Sequence, residues 1–346
     1  MEIVNVGVVG VGHLGRWHAG LFKEIKDANL VGIYDVDQKK NEEKAQELNV
    51  KAFSSIDDLL EAVDAISIVT PTTTHAEIAR QALNKNRHVF IEKPIAHSLE
   101  AAQGLIDLAA EKQRILQIGH IERFNPAVKT LHDVPLNPLF IEAHRLSSFN
   151  TRGTDVAVVL DLMIHDLDLI LKLVDSEPSE INASGVAVIS STIDIANARI
   201  KFENGCVANL TASRISAKKM RKMRLFQKDA YISMDFNEGV SEIFYIPGEN
   251  QSPFHDGTLA VTLGEIESGS TRREIKYNRL KRQHVNPLKD ELASFVESVQ
   301  SNVRPAVTGE EGLAALKLAL QVIGRIEAHR RSLQKNNPQI LPQMEE

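Results

Sequence analysis

Apolar and polar positions follow two different patterns along this chain. Over the first 120 residues, short apolar runs rich in β-branched side chains predict strands at 3–9, 30–34, 50–53, 65–69, 88–91 and 115–118. Between them a 3.6-residue period predicts helices at 14–26, 39–48, 57–62, 75–84 and 98–112, the last opened by Ser98 as N-cap. Strict β-α alternation of this kind folds as a parallel, doubly wound sheet.

After residue 121 the pattern changes. Pro126, Pro135 and Pro138 space a segment leading to a strand at 139–147 and a strongly apolar helix at 155–174. Further β-rich runs at 180–190, 193–203, 206–214, 221–227, 229–235, 240–246 and 272–277 follow, joined by short turns such as Glu203-Asn204-Gly205. Short turns make antiparallel neighbours. Residues 247–270 read as a long loop, and helices at 287–301 and 309–332 close the chain. The expected fold class is therefore α/β: a doubly wound parallel domain at 1–121, then an α+β domain at 122–346 with a mostly antiparallel open sheet.

Composition narrows the function classes. A length of 346 residues suits two domains, and 43% apolar with 25% charged residues is a globular balance. A formal net charge of -6 with interspersed signs argues against nucleic acid as the partner. The single cysteine, Cys206, excludes an intramolecular disulfide and a multi-cysteine zinc site. The N-terminal stretch lacks the pattern of a secretory signal, and no run approaches the roughly 18 to 20 apolar residues of a membrane span. The expectation is a cytoplasmic protein without membrane contact.

Gly10-Val11-Gly12-His13-Leu14-Gly15 fits GxGxxG between a strand and a helix, with Asp35 ending the next strand. Gly10 makes the tight turn, Gly12 admits a pyrophosphate to the backbone, and Gly15 allows close helix–strand packing. These features predict a Rossmann domain. A carboxylate at Asp35 accepts both ribose hydroxyls and repels a 2′-phosphate, so NAD is expected over NADP. Trp17 and His18 are expected to pack the first helix, and His13 to touch either a phosphate or the nicotinamide side.

Two further clusters carry candidate chemistry. Thr70-Pro71-Thr72 and His75 leave the fourth strand, and Glu92-Lys93-Pro94 the fifth, at the sheet rim where dinucleotides bind. Lys93 reads either as a group stabilising charge on a substrate oxygen or as a rim lysine paired with Glu92. A cis Lys93–Pro94 bond is one possibility. In the 155–174 helix, Asp161, His165, Asp168 and Lys172 form one polar line. That line reads as an acid–base pair, a solvated face, a buried network or a metal site, and the residues alone leave these open.

Taken together, GVGHLG at 10–15, TPTTTH at 70–75, EKP at 92–94 and DLMIH at 161–165 resemble the glucose–fructose oxidoreductase, inositol dehydrogenase and rhizopine-catabolism (Gfo/Idh/MocA) family over essentially the whole chain. The resemblance implies that Lys93, Asp161 and His165 form the catalytic group, with Gly10, Gly12, His13, Leu14, Gly15, Asp35, Thr70, Pro71, Thr72, His75, Glu92 and Lys93 around the cofactor and no metal. It also implies that the second-domain sheet packs against another subunit in a homodimer or homotetramer. ILQIGHIERFNPAV at 115–128 and the stretch 213–236 resemble the UDP-N-acetylglucosamine 3-dehydrogenase branch, implying a small-molecule nucleotide-sugar substrate on the way to a 3-amino sugar of lipid A type. Arg123 and Asn125, with Lys93 and His165, are then the expected substrate ligands. The basic run Lys218, Lys219, Arg221, Lys222 and Arg224 reads equally as a diphosphate site or as a solvated strand edge. Rival functions are an inositol or free-sugar dehydrogenase, an NAD-assisted glycosidase, and a non-enzymatic NAD-binding regulator.

Overall fold

The computed structural model describes residues 2–149, 156–247, 260–268, 271–282 and 286–336. Six strands form a parallel sheet: β1 (Val4–Val9), β2 (Ala28–Tyr34), β3 (Lys51–Ala52), β4 (Ala65–Ile68), β5 (His88–Glu92) and β6 (Leu116–Gly119). Their order is β3-β2-β1-β4-β5-β6, so the strand order reverses between β1 and β4, the crevice where such folds bind dinucleotides. Helices α1 (Gly15–Phe22), α2 (Gln38–Leu48), α3 (Ile56–Ala62), α4 (Thr72–Asn84) and α5 (Leu99–Lys112) connect them. Ser98 caps α5 by accepting from the Ala101 N–H at 3.1 Å. Helix α1 is shorter than its apolar pattern predicts, because turns after Phe22 return Ile25 to the core at 7% exposure.

The second sheet has nine strands, ordered β14-β15-β13-β12-β11-β7-β10-β9-β8. They are β7 (Phe140–Leu146), β8 (Pro178–Val186), β9 (Ile195–Phe202), β10 (Val207–Ser213), β11 (Met220–Gln227), β12 (Ala230–Asp235), β13 (Val240–Tyr245), β14 (Val261–Ser268) and β15 (Thr271–Lys281). All its pairs are antiparallel except β10 with β7, which run parallel. Strand β14 lies inside the stretch 247–270 expected to be a loop. Gly264 and a register shift between Thr262 and Gly264 break its alternation, and its pairing with β15 supplies what its own sequence lacks. Residues 248–259 and 269–270 of that stretch lie outside the described residues.

The helix expected at 155–174 is two elements. Residue 155 lies outside the described residues, Val159–Met163 form a π-helical turn, and α7 (Ile164–Val174) continues from it. The Ile164 N–H reaches back five residues to the Val159 carbonyl. Three more helices complete the chain: α6 (Pro126–Lys129), α8 (Pro287–Ser301) and α9 (Gly309–Asn336). No helix among the described residues is long and apolar enough to cross a membrane.

The chain divides into two compact units, Met1–Phe124 with Val285–Leu316, and Asn125–His284 with Lys317–Glu346. The boundary expected at 121/122 omits the return of α8 to the first unit. That return has an apolar cause: Leu292, Phe295 and Val296 of α8 are almost fully buried in one cluster with Val6, Phe22 and Phe90. Phe295 meets Phe90 edge-on at 5.7 Å.

Candidate active site

In the first unit the turn from β1 into α1 requires glycine for two separate reasons. Gly10 has φ +87, and a Cβ on Gly15 would lie 1.9 Å from the Gly10 carbonyl oxygen. At Gly12 a Cβ would meet only Lys40 Nζ, at 4.0 Å. The turn therefore presents bare backbone, which is what close approach of a pyrophosphate needs. His13 and Leu14 are exposed on this turn. Trp17, expected to pack α1, is instead 50% exposed with the Arg16 guanidinium 5.1 Å over its ring.

Asp35 ends β2 under this turn. Its Oδ2 accepts from the Val11 N–H at 2.8 Å and from Lys40 Nζ at 2.9 Å, and Oδ1 from the Asp37 N–H at 3.1 Å. Burial alone would raise its pKa, but the Val11, Lys40 and Asp37 hydrogen bonds outweigh it and hold the carboxyl below its usual range. The carboxylate is thus ionised and oriented as an acceptor for ribose hydroxyls. Lys40 is a cation beside Asp35 that the GxGxxG and Asp35 pattern does not include. Its place in the first turn of α2, five residues past Asp35, was the available signal.

The two rim motifs are tied together by His75. It is 1% exposed, with Nδ1 2.9 Å from the Pro94 carbonyl and Nε2 2.9 Å from the Thr70 carbonyl. Burial pushes its pKa down, so at neutral pH the ring has one N–H and serves one of the two carbonyls at a time. His75 thus straps the loop after β4 to the loop after β5, on the rim where the cofactor contacts are expected. Thr70 and Thr72 are half-buried and Pro71 exposed on the same rim, and the Lys93–Pro94 bond is cis.

Beneath Lys93 the Glu92 carboxylate lies 3.1 Å from His18 Nε2 and accepts from the Lys93 N–H at 3.3 Å. His18 is fully buried, and its Nδ1 is 2.9 Å from Ser67 Oγ of β4. His18 therefore links Glu92, which holds the Lys93 N–H, to Ser67 of β4. His18 was expected only as packing, and nothing in its α1 neighbours signals the link to Glu92.

Arg123 ion-pairs with Glu311 at 2.8 Å with 10% of its side chain exposed. Glu311 in turn accepts from the Thr308 N–H at the start of α9. In the second unit Asn125 caps α6, accepting from the Ala127 N–H at 3.0 Å and donating to the Phe236 carbonyl at 3.1 Å. Both side chains are thus anchored by partners within the protein itself.

The other cluster belongs wholly to the second unit. Asp161 lies in the π-turn, and His165 opens α7; both are half-buried. In an α-helix four residues overshoot a full turn by about 40°. A wider i→i+5 turn reduces that overshoot, bringing residues 161 and 165 closer to one direction. Asp168 is 1% exposed and Lys172 is exposed, so the expected polar line is not a single solvated face. The neighbouring Asp166 receives a two-pronged bond from Arg145 of β7, Nε to Oδ2 at 2.9 Å and Nη2 to Oδ1 at 2.8 Å. With 3% and 4% of their side chains exposed, the pair locks α7 to the sheet. Among the described residues no group of three or more His, Cys, Asp or Glu side chains could hold a metal ion.

A glycine turn built for a pyrophosphate and a rim lysine are common to many dinucleotide enzymes, and comparison with known proteins gives the family. Residues 4–120 match the model of an oxidoreductase family with an NAD-binding Rossmann fold, and residues 127–233 match the Gfo/Idh/MocA C-terminal domain. The chain belongs to the Gfo/Idh/MocA oxidoreductase family. It is similar to the UDP-N-acetylglucosamine 3-dehydrogenase of Acidithiobacillus ferrooxidans, 38% identical over 94% of this chain and 98% of that protein. A solved structure of that enzyme matches with a TM-score of 0.82 at 37% identity, covering 95% and 99% of the two chains. It is also similar to the myo-inositol 2-dehydrogenase of Thermotoga maritima, 28% identical over 94% of this chain and 97% of that one. As a Gfo/Idh/MocA protein the chain is an NAD-dependent dehydrogenase, and the open backbone at Gly12 with the ionised Asp35 suits that cofactor.

Proposed function

We propose that the protein oxidises the 3-hydroxyl of UDP-N-acetylglucosamine to the 3-keto sugar. The observation carrying this reading is the full-length similarity to an enzyme of that name at 38% identity. Lys93, Asp161 and His165 are the residues assigned to the chemistry. His165 takes the hydroxyl proton, a task suited to an imidazole near neutral pH. Asp161, one turn away, orients the ring and favours its protonated form. Lys93 stabilises negative charge on the substrate oxygen as the C–H bond is broken. Bound NAD supplies the hydride acceptor, and Gly10, Gly12, Gly15 and Asp35 hold it.

The second-unit sheet is assigned to substrate binding and to self-association. Its face away from α7 carries Phe140, Phe226, Tyr231, Phe244 and Tyr277 in successive ring contacts of 4.9 to 5.6 Å, an apolar stripe suited to a second copy in a homodimer or homotetramer.

NADH absorbance with nucleotide sugars, free sugars and inositols as separate substrates tests the assignment. Reduction of NAD with UDP-N-acetylglucosamine is expected. Reduction only with inositols, the substrates named for the Thermotoga relative, would replace it. Sugar release without NADH accumulation would point to a glycosidase.

A further inference from the structure

Residues 187–194 join β8 to β9 and carry Val188 and Ile189 at 60% and 59% exposure, so apolar burial does not hold this connection in shape. A buried carboxylate holds it instead. Asp194 is fully buried. Its Oδ2 accepts from the N–H groups of Val188 at 2.8 Å, Ile189 at 2.7 Å and Ser190 at 2.9 Å, and its Oδ1 from the Ser190 hydroxyl at 2.6 Å. Burial alone would raise its pKa, but the Ser190, Ile189 and Val188 hydrogen bonds outweigh it and lower the carboxyl to about 2. The group is therefore ionised throughout the pH range of an enzyme assay, and the charge-assisted bonds it accepts fix the loop around it.

The loop fixed in this way holds the chain that enters the π-turn. The Val158 N–H donates to the Ile193 carbonyl at 2.9 Å, and the Val156 carbonyl accepts from the Thr192 hydroxyl at 3.1 Å. The same carbonyl accepts from Arg214 Nη2 at 2.5 Å. Arg214, just past β10, is tied to Asp194 as well: its N–H donates to the Asp194 carbonyl at 3.0 Å, and its Nε lies 3.9 Å from Oδ1. The start of the π-turn is thus clamped from outside the helix. His165 is held from the other side, because Asp166 next to it is bound by Arg145. Asp161 lies between the two anchors. Releasing the clamp therefore leaves His165 in place and lets the wide turn relax, which moves Asp161 relative to the ring.

We propose that Asp194 is a positioning residue for the reaction: through Thr192, Ile193 and Arg214 it sets the start of the π-turn, and so the placement of Asp161 against His165. The inference rests on the roles assigned to Asp161 and His165 above, and the test separates the two. NADH formation across a pH series, with whichever substrate of the panel gives the highest rate, and an NAD titration are measured for the wild type, Asp161→Asn, Asp194→Asn, Thr192→Val and Thr192→Ser. Asparagine keeps the shape of Asp194 but turns a donor toward N–H groups that need acceptors. Asp194→Asn is expected to lower kcat about 10- to 100-fold, the range of a misplacement of up to about 1 Å. Its acidic limb should move to lower pH, as in Asp161→Asn, because the ring loses its carboxylate partner. Thr192→Val removes one bond to Val156 and should lower kcat about 3- to 10-fold with a limb shift in the same direction. Thr192→Ser keeps the hydroxyl and should restore both. NAD binding should stay at the wild-type level, because Gly10, Gly12, Gly15 and Asp35 lie in the first unit. The charges of α7 itself, Asp166 with its Arg145, Asp168 and Lys172, are unchanged in all four variants and do not account for a shift. Loss of folded enzyme lowers the rate at every pH alike, so a lower kcat with an unmoved limb in Asp194→Asn and Thr192→Val would overturn the clamp. If Asp194→Asn does not fold, the Thr192 pair decides alone by the same criterion. Wild-type kcat and limb in the Asp194 and Thr192 variants, beside a shifted limb in Asp161→Asn, would overturn the clamp and leave the assigned roles intact. An unmoved limb in Asp161→Asn would overturn those roles, and the clamp with them.

Discussion

In the function proposed above, the first unit presents its ligand mostly with backbone, and the second presents side chains held in place by other side chains. At the β1–α1 turn, recognition consists of what is missing at Gly10, Gly12 and Gly15, so the contact surface is set as soon as the chain turns. Around His165, orientation depends on a π-turn and on the buried Arg145–Asp166 pair. Breaking one partner of such a pair costs about 3–5 kcal/mol because the other charge is left buried. A backbone site tolerates side-chain changes around it but not within it. A side-chain site can be moved by changes that never touch the ligand.

The largest expected effect separates cofactor binding from chemistry inside the first unit. Lys93→Ala should lower kcat by about 100- to 1,000-fold, the range for removing one group that stabilises a developing oxyanion. NAD should bind as before, because none of the glycine turn or Asp35 contacts involve the Lys93 side chain. Rates near wild type, measured by NADH formation beside an NAD titration, would remove Lys93 from its assigned role.

A smaller effect tests the second unit. Deleting Leu160 takes one residue out of the π-turn and lets the segment wind as a regular α-helix. Asp161 and His165 then diverge by the usual overshoot, and a misplacement of about 1 Å costs roughly 100-fold in rate. The acidic limb of the pH–rate profile, where the base takes up its proton, should move to lower pH, because the ring no longer has its carboxylate partner. A deletion variant with normal kcat and an unmoved profile would show that the turn positions nothing.

The same contrast explains what could be read from residue order. GxGxxG was legible because Gly10 is demanded by a positive φ and Gly15 by a local clash, and local demands leave a residue-type signature. The β-α alternation was legible for the same reason. The π-turn was not, since Val159-Leu160-Asp161-Leu162-Met163 is as apolar and periodic as any helix. The roles of Asp166 and His18 depend on partners 21 and 49 residues away, Arg145 and Ser67. Arg123 and Asn125 read as ligands because polar residues past a strand end often are, while their contacts with Glu311 and Phe236 depend on partners far along the chain. Strand β14 was missed because Gly264 interrupts its alternation.

The smallest expected effect lies away from either cluster, in the acid stability of the first unit. His88 at the start of β5 accepts the Ile115 N–H on Nδ1 at 3.0 Å, a bond only the neutral ring can take. Burial, reinforced by the Arg114 guanidinium 3.4 Å from Nε2, lowers its pKa to about 4. The folded pKa lies below the unfolded value near 6.5, so the unfolded chain binds the proton first as pH falls. The stabilisation is complete above about pH 6.5 and drains away as pH falls toward 4. Asp64 pulls the other way on the same ring and limits the loss. Glutamine at 88 keeps a polar side chain but has no proton to gain, so His88→Gln should flatten the stability curve between pH 6.5 and 4 while leaving NAD binding at pH 7.5 unchanged. Denaturant unfolding at a series of pH values measures this, and an identical slope in wild type and variant would assign the acid sensitivity to other groups. A flattened slope would show that a histidine on the sheet, outside both candidate clusters, sets how far the glycine-built unit can be acidified before its backbone site comes apart.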